Sequence, residues 1–168
     1  RRFMLGAPDN DPASPRLAAV REVLGEAGFT VPEIDDIRME IWQKLWGNLF
    51  ANPLSVLTGA GMEDICTRPP VRKIAREMMR EAQAVAAALG VDLGMDIDTR
   101  IDQAAKLGGF KSSMLQDFER GRAIELDAIL GAVVEIATAH DIPCPQLESV
   151  YGLVRLRAET AGCWPAAL

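Results

Sequence analysis

Lys44, Asn48 and Asn52 recur four residues apart, so on a helix they line one face, a cation followed by two neutral amides. Such a set suits an anion or a polarised carbonyl. The ammonium can donate a proton or hydrogen bond to a developing alkoxide, and the amides can donate and accept along the rest of a bound molecule. Asparagine is a poor helix-interior residue, so two of them on one stripe call for a reason. Leu45, Trp46 and Leu49 put apolar surface beside the stripe and would shield it in part. Pro53 cannot donate to the carbonyl of Leu49, which predicts a looser or bent helix near Asn52. Spacing alone fits a solvated lysine with two capping amides equally well.

A second polar group is Lys111-Ser112-Ser113-Met114-Leu115-Gln116-Asp117, with Glu125-Leu126-Asp127 following. Ser112 reads as the N-cap of a short helix that buries Leu115 and Phe118, and Glu125 and Asp127 as first-turn acids favoured by the helix dipole. His140, the sole histidine, falls in a His-Asp-Ile-Pro connection and reads as a loop residue. Cys66, Cys144 and Cys163 are odd in number and form no CxxC pair, so no disulfide framework, zinc ribbon or nucleophile is suggested. No metal is expected, and a reducing cytoplasm fits best. Trp42 and Trp46, on an amphipathic helix, read as core or interface rather than as a stacking platform.

The elements that must position these groups change character along the chain. Arg2-Phe3-Met4-Leu5-Gly6 is a short apolar run leaving into Ala-Pro-Asp-Asn-Asp-Pro, a turn cluster. Ser14-Pro15 starts a helix whose apolar stripe is Leu17, Val20, Val23 and Leu24, and Gly28 ends it. Phe29-Thr30-Val31-Pro32 is β-prone. Residues 1–34 thus read as strand, helix, strand, a unit that needs a larger sheet. They are taken as the tail of an α/β, Rossmann-type domain whose main body lies outside this sequence. No strand-GxGxxG-helix fingerprint occurs: Gly59-Ala60-Gly61 lacks the third glycine and Gly108-Gly109 lacks the spacing.

From Asp35 the periodicity is helical. Ile37, Ile41, Leu45, Leu49 and Leu54 mark the first segment. A second runs from Pro69-Pro70 to Leu89 with Ala75, Met78, Met79, Ala82, Val85 and Ala86 on its broad apolar face, and Gly90 closes it. A third spans about Ile97 to Leu107 before Gly108-Gly109. Residues 125–139 form another, and the last runs from Pro145 to about Ala161. Residues 35–168 are therefore expected to form an all-α domain of five or six helices.

The 168 residues carry a formal net charge of -6, which argues against a nucleic-acid footprint. Arg72, Lys73, Arg76, Glu77, Arg80 and Glu81 interleave signs at helical spacing, the pattern of a solvated face. No apolar stretch approaches the roughly 20 residues of a membrane span. The first residues lack a signal peptide's apolar stretch.

Taken together, Lys44-Leu45-Trp46-Gly47-Asn48-Leu49-Phe50-Ala51-Asn52-Pro53-Leu54, then Ser112-Ser113-Met114-Leu115-Gln116-Asp117, then Glu125-Leu126-Asp127 resemble the C-terminal domain of the ketopantoate reductase (2-dehydropantoate 2-reductase) family, in family order and with family-like spacing. The resemblance covers nearly the whole chain. It implies an NADPH-dependent oxidoreductase that converts ketopantoate to pantoate in pantothenate (coenzyme A) biosynthesis, this chain supplying the helical substrate domain and being inactive without its nucleotide domain. It implies Lys44 as general acid and Glu125 as the second critical residue, orienting Lys44 or contacting cofactor and substrate hydroxyls. Asn48, Asn52 and Ser113 would hold the substrate, a small 2-keto acid. Met62 and Phe110 stand where some members carry asparagine, which leaves open a related NAD(P)-dependent reductase of another 2-keto acid. A non-catalytic helical dimerisation module is the other alternative. The apolar faces permit a homodimer.

Overall fold

The computed structural model describes residues 1–7, 9, 11 and 14–164. Its helices are α1 (Pro15–Glu26), α2 (Ile37–Thr58), α3 (Met62–Thr67), α4 (Pro69–Ala88), α5 (Ile97–Ala105), α6 (Ser113–Glu119), α7 (Ala132–Ala139) and α8 (Pro145–Thr160), with a π turn at Asp127–Gly131 ahead of α7. The expected mainly-α architecture is what the chain adopts. Two compact units are distinguished, Arg1–Lys44 and Leu45–Leu168, and the division falls inside the continuous helix α2.

In the first unit, α1 starts at Pro15, whose missing N–H costs nothing there, and stops where Gly28 takes φ +81°. No residue of α1 is buried, and Val20 and Val23 are exposed, so the stripe legible in the sequence is left uncovered. The two β-prone segments meet in a single parallel bridge between Arg2 and Thr30, with Phe3 N donating to Thr30 O at 2.9 Å and Thr30 N to Arg1 O at 3.0 Å. Phe3 and Phe29 pack edge to face, 4.9 Å between centroids. The expected strands are no more than this among the described residues, because an isolated pair of segments without further partners does not sustain a ladder. Pro8, Asn10 and Pro12 of the expected turn cluster lie outside the described residues.

In the second unit, α4 supplies the central apolar face: Ala75, Met78, Met79, Ala82, Val85 and Ala86 are all fully buried. Helices α3, α5, α7 and α8 pack on it. Leu126, Leu130, Val133 and Ala137 from the π turn and α7, and Leu147, Val150, Val154 and Ala158 from α8, complete the core at helical spacing. Each large apolar side chain so buried contributes roughly 1.5–3 kcal/mol. Trp46 is buried as a core residue, and its indole Nε1 donates to the Met79 carbonyl at 2.8 Å, which satisfies its one polar atom. Glu81, also buried, reaches from α4 to the start of α8, where its carboxylate accepts from Gln146 N at 3.0 Å and Leu147 N at 2.9 Å.

Two features depart from the sequence reading. Helix α3 was not expected. Its first N–H groups are satisfied from far along the chain, Met62 N donating to Phe110 O at 3.1 Å and Glu63 N to Gly108 O at 2.8 Å. The expected single helix over 125–139 opens with the π turn, whose extra residue leaves no mark on the hydrophobic pattern. Of the interleaved charges, Arg72 pairs with Asp98 and Asp102, and Arg76 with Asp98, at partly exposed positions, whereas buried Glu81 departs from the solvated face the pattern suggested. No helix among the described residues is long and apolar enough to cross a membrane.

Candidate active site

Helix α2 runs unbroken from Ile37 to Thr58 with Pro53 inside it, so Lys44, Asn48 and Asn52 stand on one helical stripe. Lys44 is exposed, Asn48 half-buried and Asn52 only 4% exposed. Among the described residues Lys44 enters no ion pair, and neither asparagine amide forms a hydrogen bond. The Asn52 amide is not fully sealed, because the one enclosed side-chain atom without a partner among the described residues is Arg21 Nε. A nearly buried amide that keeps an opening and has no protein partner is free to bond a bound molecule.

Ser113 is exposed as the first residue of α6, and its placement is the work of its neighbour. Ser112, 5% exposed, accepts from Leu115 N at 3.0 Å as N-cap, the role its position suggested. Its hydroxyl also shares a 2.5 Å hydrogen bond with Ser55 Oγ, and the Ser55 hydroxyl donates to the Asn52 carbonyl at 2.7 Å. The start of α6, next to Ser113, is thus tied to the turn of α2 that carries Asn52. Ser55 escaped the sequence reading. The available signal was its position three residues after Asn52, on the same helix face.

Glu125 is exposed and lies just before the helical run that follows, its carbonyl accepting from Ile129 N at 3.2 Å. No hydrogen bond links it to Asn48, Asn52 or Ser113 among the described residues. Two residues on, Asp127 Oδ1 accepts from the Tyr151 hydroxyl at 2.5 Å. Burial, and then this bond to a carboxylate, push the Tyr151 phenol above its ordinary range, so it remains a donor. Gly131 makes room: a Cβ there would lie 3.1 Å from Tyr151 Cε2 and 3.2 Å from Asp127 Oδ1.

The two positions that bear on the substrate turn out to be neighbours, joined by the Met62 N to Phe110 O bond. Met62 is a core residue, whereas Phe110 is 57% exposed. Only Phe110 of the pair is available to a bound molecule. The turn that Gly61 belongs to is held by close backbone approach, since a Cβ on Gly61 would lie 2.8 Å from Gly109. Gly59, at φ +68°, ends α2. These glycines serve turns and do not form a phosphate cradle between a strand and a helix. Cys66, Cys144 and Cys163 are free and buried, and burial pushes the Cys66 and Cys144 thiols up to about 11, which keeps them protonated and inert. No cluster of three or more His, Cys, Asp or Glu able to hold a metal occurs among the described residues.

Known proteins resemble the chain over most of its length. The family model described as ketopantoate reductase PanE/ApbA C terminal matches residues 36–158. The chain is 45% identical over 164 residues to a 2-dehydropantoate 2-reductase of Mesorhizobium japonicum, covering 98% of this chain and 50% of that protein. A solved structure of a proposed ketopantoate reductase from Ralstonia solanacearum MolK2 superposes with TM-score 0.91 at 40% identity, covering 98% of this chain and 50% of the other. That of 2-dehydropantoate 2-reductase from Methylococcus capsulatus superposes with TM-score 0.82 at 34% identity, covering 95% and 55%. The chain spans about half the length of the curated relatives it matches.

Proposed function

This chain belongs to the ketopantoate reductase PanE/ApbA C-terminal family, and from that premise we propose that the whole protein reduces 2-dehydropantoate (ketopantoate) to pantoate with NADPH, a step of pantothenate and coenzyme A synthesis. The observation that carries this reading is the continuous α2 face of Lys44, Asn48 and Asn52, with Asn52 nearly buried yet unpartnered and Ser113 tied beside it through Ser112 and Ser55. Lys44 is the general acid. As hydride adds to the keto carbon, its ammonium passes a proton to the carbonyl oxygen, giving the secondary alcohol, and it recovers a proton from water. Asn48, Asn52 and Ser113 hold the substrate by neutral hydrogen bonds, and Glu125 orients Lys44 or contacts cofactor and substrate hydroxyls.

The nucleotide is held by the other half of the protein, of which residues 1–34 are the tail, and residues 35–168 form the substrate domain. The uncovered stripe of α1 and the single Arg2–Thr30 bridge support this division, because both are unfinished surfaces of an α/β layer. The enzyme works in the cytoplasm on a small keto acid, and exposed Leu153 and Leu156 of α8 are compatible with a homodimer. A second reading, reduction of a different 2-keto acid, is favoured by the exposed aromatic ring of Phe110. A panel of 2-keto acids assayed by NADPH absorbance with the full-length protein separates the two. Ketopantoate as best substrate supports the first reading, a bulkier apolar keto acid the second, and no turnover of any 2-keto acid overturns both.

A further inference from the structure

Arg100, on α5, lies across the backbone of α2 at Gly47. A Cβ on Gly47 would sit 2.4 Å from an Arg100 Nη and 3.1 Å from its Cζ, so the end of the arginine lies directly against this glycine. Gly47 is buried, three residues after Lys44 and one before Asn48.

Every acid near Arg100 on its own helix is engaged elsewhere. Asp96 caps α5 by accepting from Thr99 N at 2.9 Å. Asp98 accepts from Arg72 at 2.8 Å and Arg76 at 2.6 Å, and Asp102 from Arg72 at 2.7 Å. Residues two positions away on a helix project to nearly the opposite side, so neither Asp98 nor Asp102 can turn to Arg100 without leaving its partner. Cys66, which feels the Arg100 charge, is held neutral by burial and supplies no counter-charge. Among the described residues Arg100 enters no ion pair and no side-chain hydrogen bond, although it is only partly exposed. A partly exposed guanidinium whose donors have no protein acceptor is available to an anion.

We propose that Arg100 is the carboxylate anchor of the site, its fork gripping the two oxygens of a 2-keto acid. This rests on the reading of the chain as a keto-acid reductase domain and names the group that recognises the acid. In that reading Lys44 serves the carbonyl oxygen, and Asn48, Asn52 and Ser113 are neutral, so none of these groups is a cation assigned to the substrate's carboxylate. A planar guanidinium matches a carboxylate in a two-bond grip that lysine cannot reproduce.

The test compares a 2-keto acid with its uncharged methyl ester in full-length wild-type protein and in Arg100→Met and Arg100→Lys. Arg100→Met is expected to reduce the preference for acid over ester, read as a ratio of KM values, roughly 10- to 100-fold, with Arg100→Lys between. An equal loss for acid and ester, or no change in either, would overturn the assignment. Calorimetric binding of ketopantoate to wild type and Arg100→Met keeps the two questions apart. Arg100-dependent binding without turnover would support the anchor and overturn the reductase reading. Turnover with Arg100-independent binding would do the reverse, and absence of both would overturn both.

Discussion

At the scale of single residues, the site is assembled by side chains that never touch a substrate. Ser112 satisfies the Leu115 N–H, bonds Ser55, and is 5% exposed, so its loss removes a cap and leaves a buried hydroxyl on α2 without its partner. Ser112→Ala is expected to cost about 2 kcal/mol, seen as a lower urea midpoint of the full-length protein. It should also raise KM, because Ser113 loses its tether to the Asn52 turn. A wild-type midpoint would show that the Ser55–Ser112 bond contributes nothing net. The Lys44, Asn48 and Asn52 stripe was legible from spacing, since a continuous helix converts a four-residue repeat directly into a shared face. The role of Ser55 and the approach of Arg100 to Gly47 were not. Each depends on a partner more than 50 residues away, and no local pattern records such a pairing.

At the scale of elements, the helices with strong periodicity and clear ends were readable, α4 from Pro69 to the glycine at 90 and α8 from Pro145 among them. Short α3 was not, because its start is satisfied by carbonyls from the loop at 108–110. The π turn was not, because one inserted residue shifts a helix without changing its composition. Glu81 shows the same limit from another side. It sat within an evidently charged helix, yet it is buried and caps α8 from α4. Pro145 needs no acceptor, and the next two N–H groups have Glu81. Glu81→Ala is expected to cost roughly 3 kcal/mol by leaving those donors unpaired in the core, measured as a fall in the unfolding midpoint. A change within a few tenths of a kcal/mol would mean that water replaces the carboxylate at no cost.

At the scale of the whole molecule, the chain matches about half the length of its relatives, and under the proposed function it is the substrate domain while hydride delivery belongs to the rest of the protein. Division of labour makes the chemistry separable: groups on α2 should act on the carbonyl without holding the nucleotide. The most direct measurement is therefore steady-state reduction of ketopantoate by the full-length protein beside its Lys44→Ala variant, with NADPH affinity determined separately by fluorescence titration. The expected result is a fall in kcat/KM of about 100- to 10,000-fold with the NADPH dissociation constant unchanged. Turnover that survives the substitution would contradict the assignment of Lys44 as the proton donor, and with it the reading of the α2 face as the catalytic one.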